Sequence, residues 1–483
     1  MPVLFQDFRA NHYSRRHTVY SKIKRVTNNG YDTSNDFFGN NFTGNILGLT
    51  NDSKDFFSSG CNDIIYSSDF NALIACGYNA PGDNRSNLST FMYSTNNGVS
   101  WAFAKDTFPN QSNTGGYAIT LAISDGEVFC GGTGGTTGNF VSLMKTSDGD
   151  NWDAVTSCTL REVTSIAASG DGEILVSGTD TSDVLKLLLS VDNGVTFTEI
   201  NYATQLSNPA YTGPVYYINN SFYFAPTQGD GNALVFTITG ANALNNGTDI
   251  NNWTNITGNF SDANGTINLT GFNTTMYYDS DNGNTFILFG GQTSHYVFYS
   301  TDGLQFIDIP LNDTDILQAT KIIYVPSTGT YYLGVVHQAD INNSANYSIM
   351  YSSPASDLSG WYVTLNTYVV TNNVDRLKDI PVNGVYDFYL ESNTLYLVVT
   401  NVVERQGLPF TEYRGLVKYD LVSGLMNTVV KNIGNDVTKM IYSNPNLLVS
   451  VSGSQYESSN DTIYYQGPND TTLQETEHKD DTN

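Results

Sequence analysis

The stretch AITLAISDGEVFCGG (Ala118–Gly132) sets two apolar runs on either side of an Asp-Gly pair. Apolar runs joined by such a pair mark a β-hairpin whose turn needs positive φ. Seven further stretches repeat the pattern. They are DIIYSSDFNALIACG (Asp63–Gly77), TSIAASGDGEILVSG (Thr164–Gly178), PVYYINNSFYFAP (Pro214–Pro226), MYYDSDNGNTFILFGG (Met276–Gly291), KIIYVPSTGTYYLGV (Lys321–Val335), VYDFYLESNTLYLVV (Val385–Val399) and KMIYSNPNLLVSVSG (Lys439–Gly453). Aligned on the turn, their central residues are Asn71, Gly126, Gly172, Asn220, Gly283, Gly329, Asn393 and Asn446, spaced 46 to 64 residues apart. That is the length of one four-stranded propeller blade with variable loops. The expected fold is all-β, a β-propeller of seven or eight four-stranded blades, with eight favoured.

A second signal follows most of the hairpins. A third strand ends in FMYS, LMKT, LLLS, VFYS or IMYS, and a turn then leads to an aromatic residue. The turns read STNNGVSW (Ser94–Trp101), TSDGDNW (Thr146–Trp152), SVDNGVTF (Ser190–Phe197) and STDGLQF (Ser300–Phe306), with looser versions ending at Trp253 and Trp361. Ser94, Gly98, Trp101, Asp148, Trp152, Asp192, Gly194, Phe197, Asp302 and Phe306 carry the pattern. It resembles the Asp-box (BNR-type) turn S-x-D-x-G-x-x-W of sialidases, sortilin-type receptors, some glycoside hydrolases and photosystem assembly factors. Asn96 stands in the Asp place of the first copy, and the last two blades lack the motif. Locally, the Ser and Asp side chains bond the turn backbone, Gly takes the left-handed conformation and the aromatic packs between sheets. The boxes therefore diagnose a fold and leave activity open.

Composition agrees with a packed all-β chain. Gly (43), Tyr (32) and Phe (25) are abundant, with 40% hydrophobic and 14% charged residues over 483 positions. Aromatic and β-branched residues suit a pleated surface, and Gly and Asn supply turns. The net charge is −26, which repels nucleic-acid backbones and excludes nucleic acid as a partner of the body. Arg9, Arg15, Arg16, Lys22, Lys24 and Arg25 place six of the 21 lysines and arginines in the first 25 residues. With Phe8, Tyr13 and Tyr20 between them, they form a basic, aromatic arm that reads as a docking peg into a larger assembly. The expected organisation is an arm over 1–35, a propeller over 36–468 and an acidic polar tail over 469–483. After the eighth hairpin only TIYYQGP precedes the tail. The segment NFTGNILGLT (Asn41–Thr50) is expected to give the last blade its outer strand and close the ring, since an open ring exposes sheet edges.

The Asp-box resemblance makes a sialidase the first enzyme to test. It implies three arginines on a substrate carboxylate, a Tyr–Glu nucleophile pair, an acid/base Asp, and an Arg-x-Pro-like motif before the first blade. Ser34 to Asn62 contains no arginine, and the propeller holds only Arg85, Arg161, Arg376, Arg405 and Arg414. Arg161 and Arg376 enter blades at places that can face a central channel, although paired surface arginines are the simpler reading. Sequence selects no carboxylate pair for glycoside hydrolysis. His295 and His337, the propeller's histidines, lack HExxH spacing and a GxSxG partner. The glycine run from Cys130 to Gly138 lacks the Gly-Lys-Ser/Thr ending of a phosphate loop and reads as a hairpin loop.

No cofactor and no metal are expected. The acidic turns at Asp148–Asp150, Asp279–Asp281 and Asp313–Asp315 lack the closing Glu of a calcium loop. Cys61, Cys76, Cys130 and Cys158 lack CxxC spacing. Cys76 and Cys130 hold nearly equivalent places in successive repeats and read as core residues, while a Cys61–Cys158 disulfide stays open. An N-terminal apolar region and a run of about 18 apolar residues are both missing, so no signal peptide, membrane insertion or transmembrane segment is expected. The chain thus reads as a non-enzymatic binding or scaffolding propeller made in a host cytoplasm. The virion is its expected location, as a tail, fibre or capsid-surface component. Other subunits engage the arm, and a host glycan or protein engages the loops. The alternatives are a glycan-cleaving enzyme with its site in the central channel and a cellular assembly factor or receptor-like propeller.

Overall fold

The computed structural model describes residues 61–478 less 78–88, 99, 110–115, 137–138, 203–209, 229–231, 263–264, 267–268, 270–272, 291–294, 312–315, 338–347, 367–383, 392, 406–407, 431–435, 444–445, 453–461, 467–473 and 476. Each of the eight hairpins supplies the two inner strands of a four-stranded antiparallel blade. Blade 1 is β1 (Cys61–Ser67), β2 (Ala72–Gly77), β3 (Phe91–Ser94) and β4 (Ser100–Phe103). Blade 2 is β5 (Tyr117–Ser124), β6 (Glu127–Thr136), β7 (Asn139–Thr146) and β8 (Asp153–Ala154). Blade 3 is β9 (Glu162–Ala168), β10 (Ile174–Thr179), β11 (Leu185–Ser190) and β12 (Thr198–Glu199).

A small β13 (Ala210–Thr212) precedes β14 (Val215–Ile218) and β15 (Ser221–Phe224) of blade 4. It pairs with β16 (Thr227–Gln228), after which β17 (Phe236–Thr239), helix α1 (Gly240–Asn246) and β18 (Thr254–Asn255) complete that blade. Next come β19 (Phe260–Asp262) and β20 (Gly265–Thr266), then blade 5 with β21 (Asn273–Asp279), β22 (Asn284–Gly290), β23 (His295–Ser300) and β24 (Phe306–Asp308). Blade 6 is β25 (Ile316–Val325), β26 (Thr330–His337), β27 (Ser348–Pro354) and β28 (Tyr362–Asn366). Blade 7 is β29 (Gly384–Glu391), β30 (Thr394–Arg405), β31 (Leu408–Asp420) and β32 (Met426–Val430). Blade 8 is β33 (Asp436–Ser443), β34 (Asn446–Ser452), β35 (Thr462–Gln466) and β36 (Gln474–Glu475), and β37 (Glu477–His478) follows.

The first strand of each blade stands beside the first strand of the next, from β1 and β5 round to β29 and β33, and β33 lies against β1. The ring is therefore an eight-bladed propeller. Its closure comes from the C-terminus. β36 is the fourth strand of blade 8, and β37 pairs in parallel with β4, placing Glu477 opposite Ser100 and His478 opposite Trp101. Gln474–Glu475 and Glu477–His478, read from sequence as polar tail, thus belong to sheets. The segment Asn41–Thr50 lies outside the described residues, as does the arm.

Hairpin chemistry explains the inner strands. Asn71, Gly126, Gly172, Asn220, Gly283 and Gly329 all take positive φ at their turns. Blade 8 differs: Asn446 opens β34 and pairs with Ser443. The apolar runs are continuous because both faces of a blade are buried. Val128 and Cys130 of β6 pack toward blade 1 with Ile74, Phe91 and Phe108, whereas Phe129 between them packs toward blade 3 with Val163, Ile166 and Ile174. The period of two thus sends alternate residues into successive interfaces. Similar clusters fill the joints between blades 3 and 4, 4 and 5, and 5 and 6. Each fully buried Phe or Leu contributes about 1.5–3 kcal/mol. All four cysteines are free and buried. Cys61 and Cys158 sit in different clusters, while Cys76 and Cys130 share the blade 1–2 joint. Among the described residues no helix is long and apolar enough to cross a membrane.

Candidate functional site

Strand alternation gives the ring two unlike faces. Turns between first and second strands and between third and fourth strands share one face. Connections from second to third strands, and from each fourth strand to the next blade, lead to the other. Except for the β17–β18 connection of blade 4, which carries α1, the described turns of the first face are tight, and some bond one another: Asp125 N donates to Gly170 O (3.1 Å), and Asn193 N to Gly172 O (2.9 Å).

The opposite face carries the long connections. Its segments also meet across blades, since Gly135 N donates to Pro109 O (2.8 Å) and β13 pairs with β16. Two hairpins extend toward it. β6 and β7 pair out to Thr136 and Asn139, and β30 and β31 out to Arg405 and Leu408. Rigid blades bearing variable loops form a common binding platform.

The motif residues all fall on the tight-turn face. Ser94 Oγ donates to Asn96 Oδ1 (2.9 Å) and accepts from Gly98 N (2.9 Å), so Asn96 performs the role of the expected Asp. Ser190, Asp192 and Gly194 repeat this arrangement, as do Ser300, Asp302 and Gly303, and in blade 2 Thr146 replaces Ser beside Asp148 and Gly149. The backbone N–H groups of Gln305 and Leu304 hold the Asp302 carboxyl below the usual range. At Asp148 and Asp192 burial pushes upward, but the hydrogen bonds of the turn outweigh it and the carboxyls are lowered. Each of the four tryptophans donates its indole N–H to a carbonyl of its own turn: Trp101 to Gly98, Trp152 to Gly149, Trp253 to Gly247 and Trp361 to Leu358.

These turns are also joints between blades. Trp152 stacks on Phe91 of blade 1 (centroids 3.9 Å apart, 8° between planes), and Phe306 stacks on Phe260 (4.8 Å). Phe197 packs against the blade 2–3 cluster. Gly149 (φ +83°) and Gly194 (φ +77°) sit where a Cβ would press on Ile74 at 2.6 Å and Phe129 at 2.8 Å, both on the second strand of the preceding blade. Left-handed backbone and close approach both demand glycine there.

Sequence reasoning missed a set of polar groups on the first strands, the strands that surround the channel. β-Bulges interrupt β1, β5, β25, β29 and β33 near their loop-face ends. Their side chains reach the next blade. Asn62 Nδ2 donates to Ala118 O (2.7 Å), Asp63 Oδ2 accepts from Leu121 N (2.9 Å), and Thr320 Oγ1 donates to Val385 O (2.7 Å). Ser165 Oγ accepts from Val215 N (3.2 Å) in the same way. Lys321 Nζ donates to Asp387 Oδ1 (2.6 Å) and lies over the Phe388 ring. In register, Lys321, Asp387, Lys439 and Asp63 alternate in charge over four consecutive blades. The sequence signal is one polar residue opposite the fifth residue of the second strand in six blades, Asp63, Thr120, Thr275, Lys321, Asp387 and Lys439, which the apolar alignment overlooked.

Arg161 pairs with Asp183 of its own blade on the loop face. Arg85 and Arg376 lie outside the described residues, as do the arm residues Arg9, Arg15, Arg16, Lys22, Lys24 and Arg25. Among the described carboxyls, Asp308 is raised to about 6, by burial and then by Asp262. It sits on β24, the fourth strand of blade 5, away from the first strands. Among the described residues no group of three or more His, Cys, Asp or Glu is placed to hold a metal ion.

No protein-family model matches the chain, and no curated protein matches it. Solved structures similar in outline include YCF48 from Cyanidioschyzon merolae (11% identity over 73% of this chain and 95% of that one, TM-score 0.40). The β-propeller domain of the Trilobed protease from Pyrococcus furiosus, described with an open velcro topology, is 7% identical over 72% and 92% (TM-score 0.40). The periplasmic gluconolactonase of Pseudomonas aeruginosa is 10% identical over 83% and 94% (TM-score 0.40). Likeness at this level carries no argument about activity, and the propeller stands on the chain's own topology.

Proposed function

We propose that this chain is a non-enzymatic binding and scaffolding propeller, a surface component of a virus particle. The basic N-terminal arm anchors it, and the loop face meets a glycan or protein of the host. The observation that carries the reading is the contrast between faces. One is spent on turns that bind blade to blade, and the other gathers the long connections and the two extended hairpins. The cations Arg161 and Lys321 support it as well, because both are already engaged by the chain's own Asp183 and Asp387. A site gripping an anionic sugar needs such cations free for the ligand.

The test has two arms. Reversing the six arm cations to glutamate in the full chain should abolish incorporation into particles and leave the melting temperature unchanged. Replacing the β30–β31 tip, residues 402–411, by a short Asn-Gly turn should remove binding on a glycan or host-protein array. Turnover of a fluorogenic sialoside or other glycan would overturn the reading in favour of a hydrolase.

A further inference from the structure

From Leu187 to Thr320, a stretch that spans blades 4 and 5, the sequence has no lysine or arginine. Acidic side chains there find no fixed cation among their sequence neighbours, and two of them stand together. β19 lies parallel on β24, with Phe260 beside Phe306 and Ser261 beside Ile307. Continuing that register sets Asp262 beside Asp308, on neighbouring strands about 4.8 Å apart. Alternation puts both carboxyls on the face of the stacked Phe260 and Phe306 rings, and both residues are half-buried. Like charges side by side on adjacent strands weaken their pairing. Burial, and then Asp262, raise Asp308 to about 6, in agreement with this placement.

The described groups that face the pair supply no counter-charge. β23 sets Phe298 opposite Asp308, and β20 sets Gly265 opposite Asp262. Ala233, Val235, Ile256 and Leu269 fill the joint with blade 4. The titratable members of that joint are Tyr216 and Tyr223. The Tyr223 hydroxyl donates to Gly303 O (3.1 Å) and is pushed up to about 12, by burial first. His295 opens β23 in register with Gly290.

We propose that the β19–β20 hairpin beyond Phe260 is a proton-operated flap on the loop face, latched by the Asp262–Asp308 pair. The hairpin lies in the connection from β18 to β21, which leads to that face. In the closed form a proton on Asp308 lets its carboxyl donate to the Asp262 carboxylate. With both ionised, the two repel and the hairpin parts from β24, while the fully buried Phe260 holds its base. The raised group sets the sign. Closure is strongest near the ordinary carboxyl pKa of about 4 and below, and it weakens as pH rises to about 6 and beyond.

Hydrogen exchange on the full chain at about pH 4.5 and about pH 7.5, corrected for intrinsic rates, tests this. The amides of Ser261–Asp262 and Gly265–Thr266 should lose at least about tenfold in protection at the higher pH, and those of β21 and β22 should keep theirs. Asp262→Asn and Asp308→Asn should each flatten the hairpin's response, whereas His295→Gln should leave it in place. A flat response in the unmodified chain, an undiminished response in either Asn variant, or a response abolished by His295→Gln would overturn the proposal. Protection restored at about pH 7.5 by added calcium chloride would assign the pair to a cation and overturn it equally.

Discussion

Blades 1, 2, 3 and 5 differ from blades 6 and 7 in how they are tied to the ring. The first group carries the Ser/Thr–Asp/Asn–Gly–aromatic turn, and in blades 2, 3 and 5 its aromatic or glycine presses on the preceding blade, as Trp152 does on Phe91, Gly194 on Phe129 and Gly303 on Tyr223. Blades 6 and 7 use longer strands instead. They share a continuous sheet through the β26–β29 pairing of Val336 with Gly384, whose Cβ position lies 2.7 Å from Val336 Cα. Lys321–Asp387 and Thr320–Val385 bind the same two blades at the channel. The turn motif is thus one solution to blade docking and not the cause of the fold. Where it lapses, backbone pairing and a charged pair take over.

The largest expected effect tests the turn side of this contrast. Trp152→Ala removes a buried indole stacked between blades and should cost about 3–5 kcal/mol, read from the denaturation midpoint. Trp361→Ala in blade 6, where the ring is only partly buried, should cost less than half as much. Equal losses would erase the distinction between the two groups.

Gly194→Ala combines left-handed backbone with a Cβ at 2.8 Å from Phe129 and should cost about 2 kcal/mol or more. Gly424→Ala in blade 7 has φ +69° but open space around it, so about 1 kcal/mol is expected from the backbone alone. On the other side of the contrast, Asp387→Ala leaves Lys321 without its partner and should cost about 1–2 kcal/mol. High salt should not reproduce that loss, because the carboxylate is largely buried.

The smallest effect is one of pH. Burial and Asp262 raise Asp308 to about 6, above its unfolded value of about 3.9. A carboxyl whose folded pKa is raised penalises the fold when ionised, so stability should increase as pH falls from above 6 toward 4. Asp308→Asn should therefore raise the melting temperature modestly at pH 8 and leave it unchanged near pH 4. A variant less stable at pH 8 would show that the carboxylate is needed where it stands.

Much of the ring was legible in the sequence because its inner strands bury both faces, which writes eight apolar hairpins around Gly or Asn turns. The motif turns were legible too, since a left-handed glycine and a bonded Ser–Asp pair leave few residue choices. The closure was not. β36 and β37 are two residues each and sit in a polar segment, where no periodicity can develop. The bulge residues Asn62, Asp63, Thr320 and Lys321 were hidden for another reason. A bulge breaks the period of two and places polar groups where an alternating pattern predicts apolar ones. Asn446 misled by composition, being a turn-forming residue that opens a strand.

The ring's closure by its own C-terminus is tested most directly by a disulfide between Ser100→Cys and Glu477→Cys, which face each other in the parallel β4–β37 pair. Strand partners of this kind lie within disulfide reach. The closed eight-bladed ring predicts that oxidation yields an intramolecular bond in the monomer and raises the melting temperature. A chain that fails to crosslink, or crosslinks only between molecules, would contradict it.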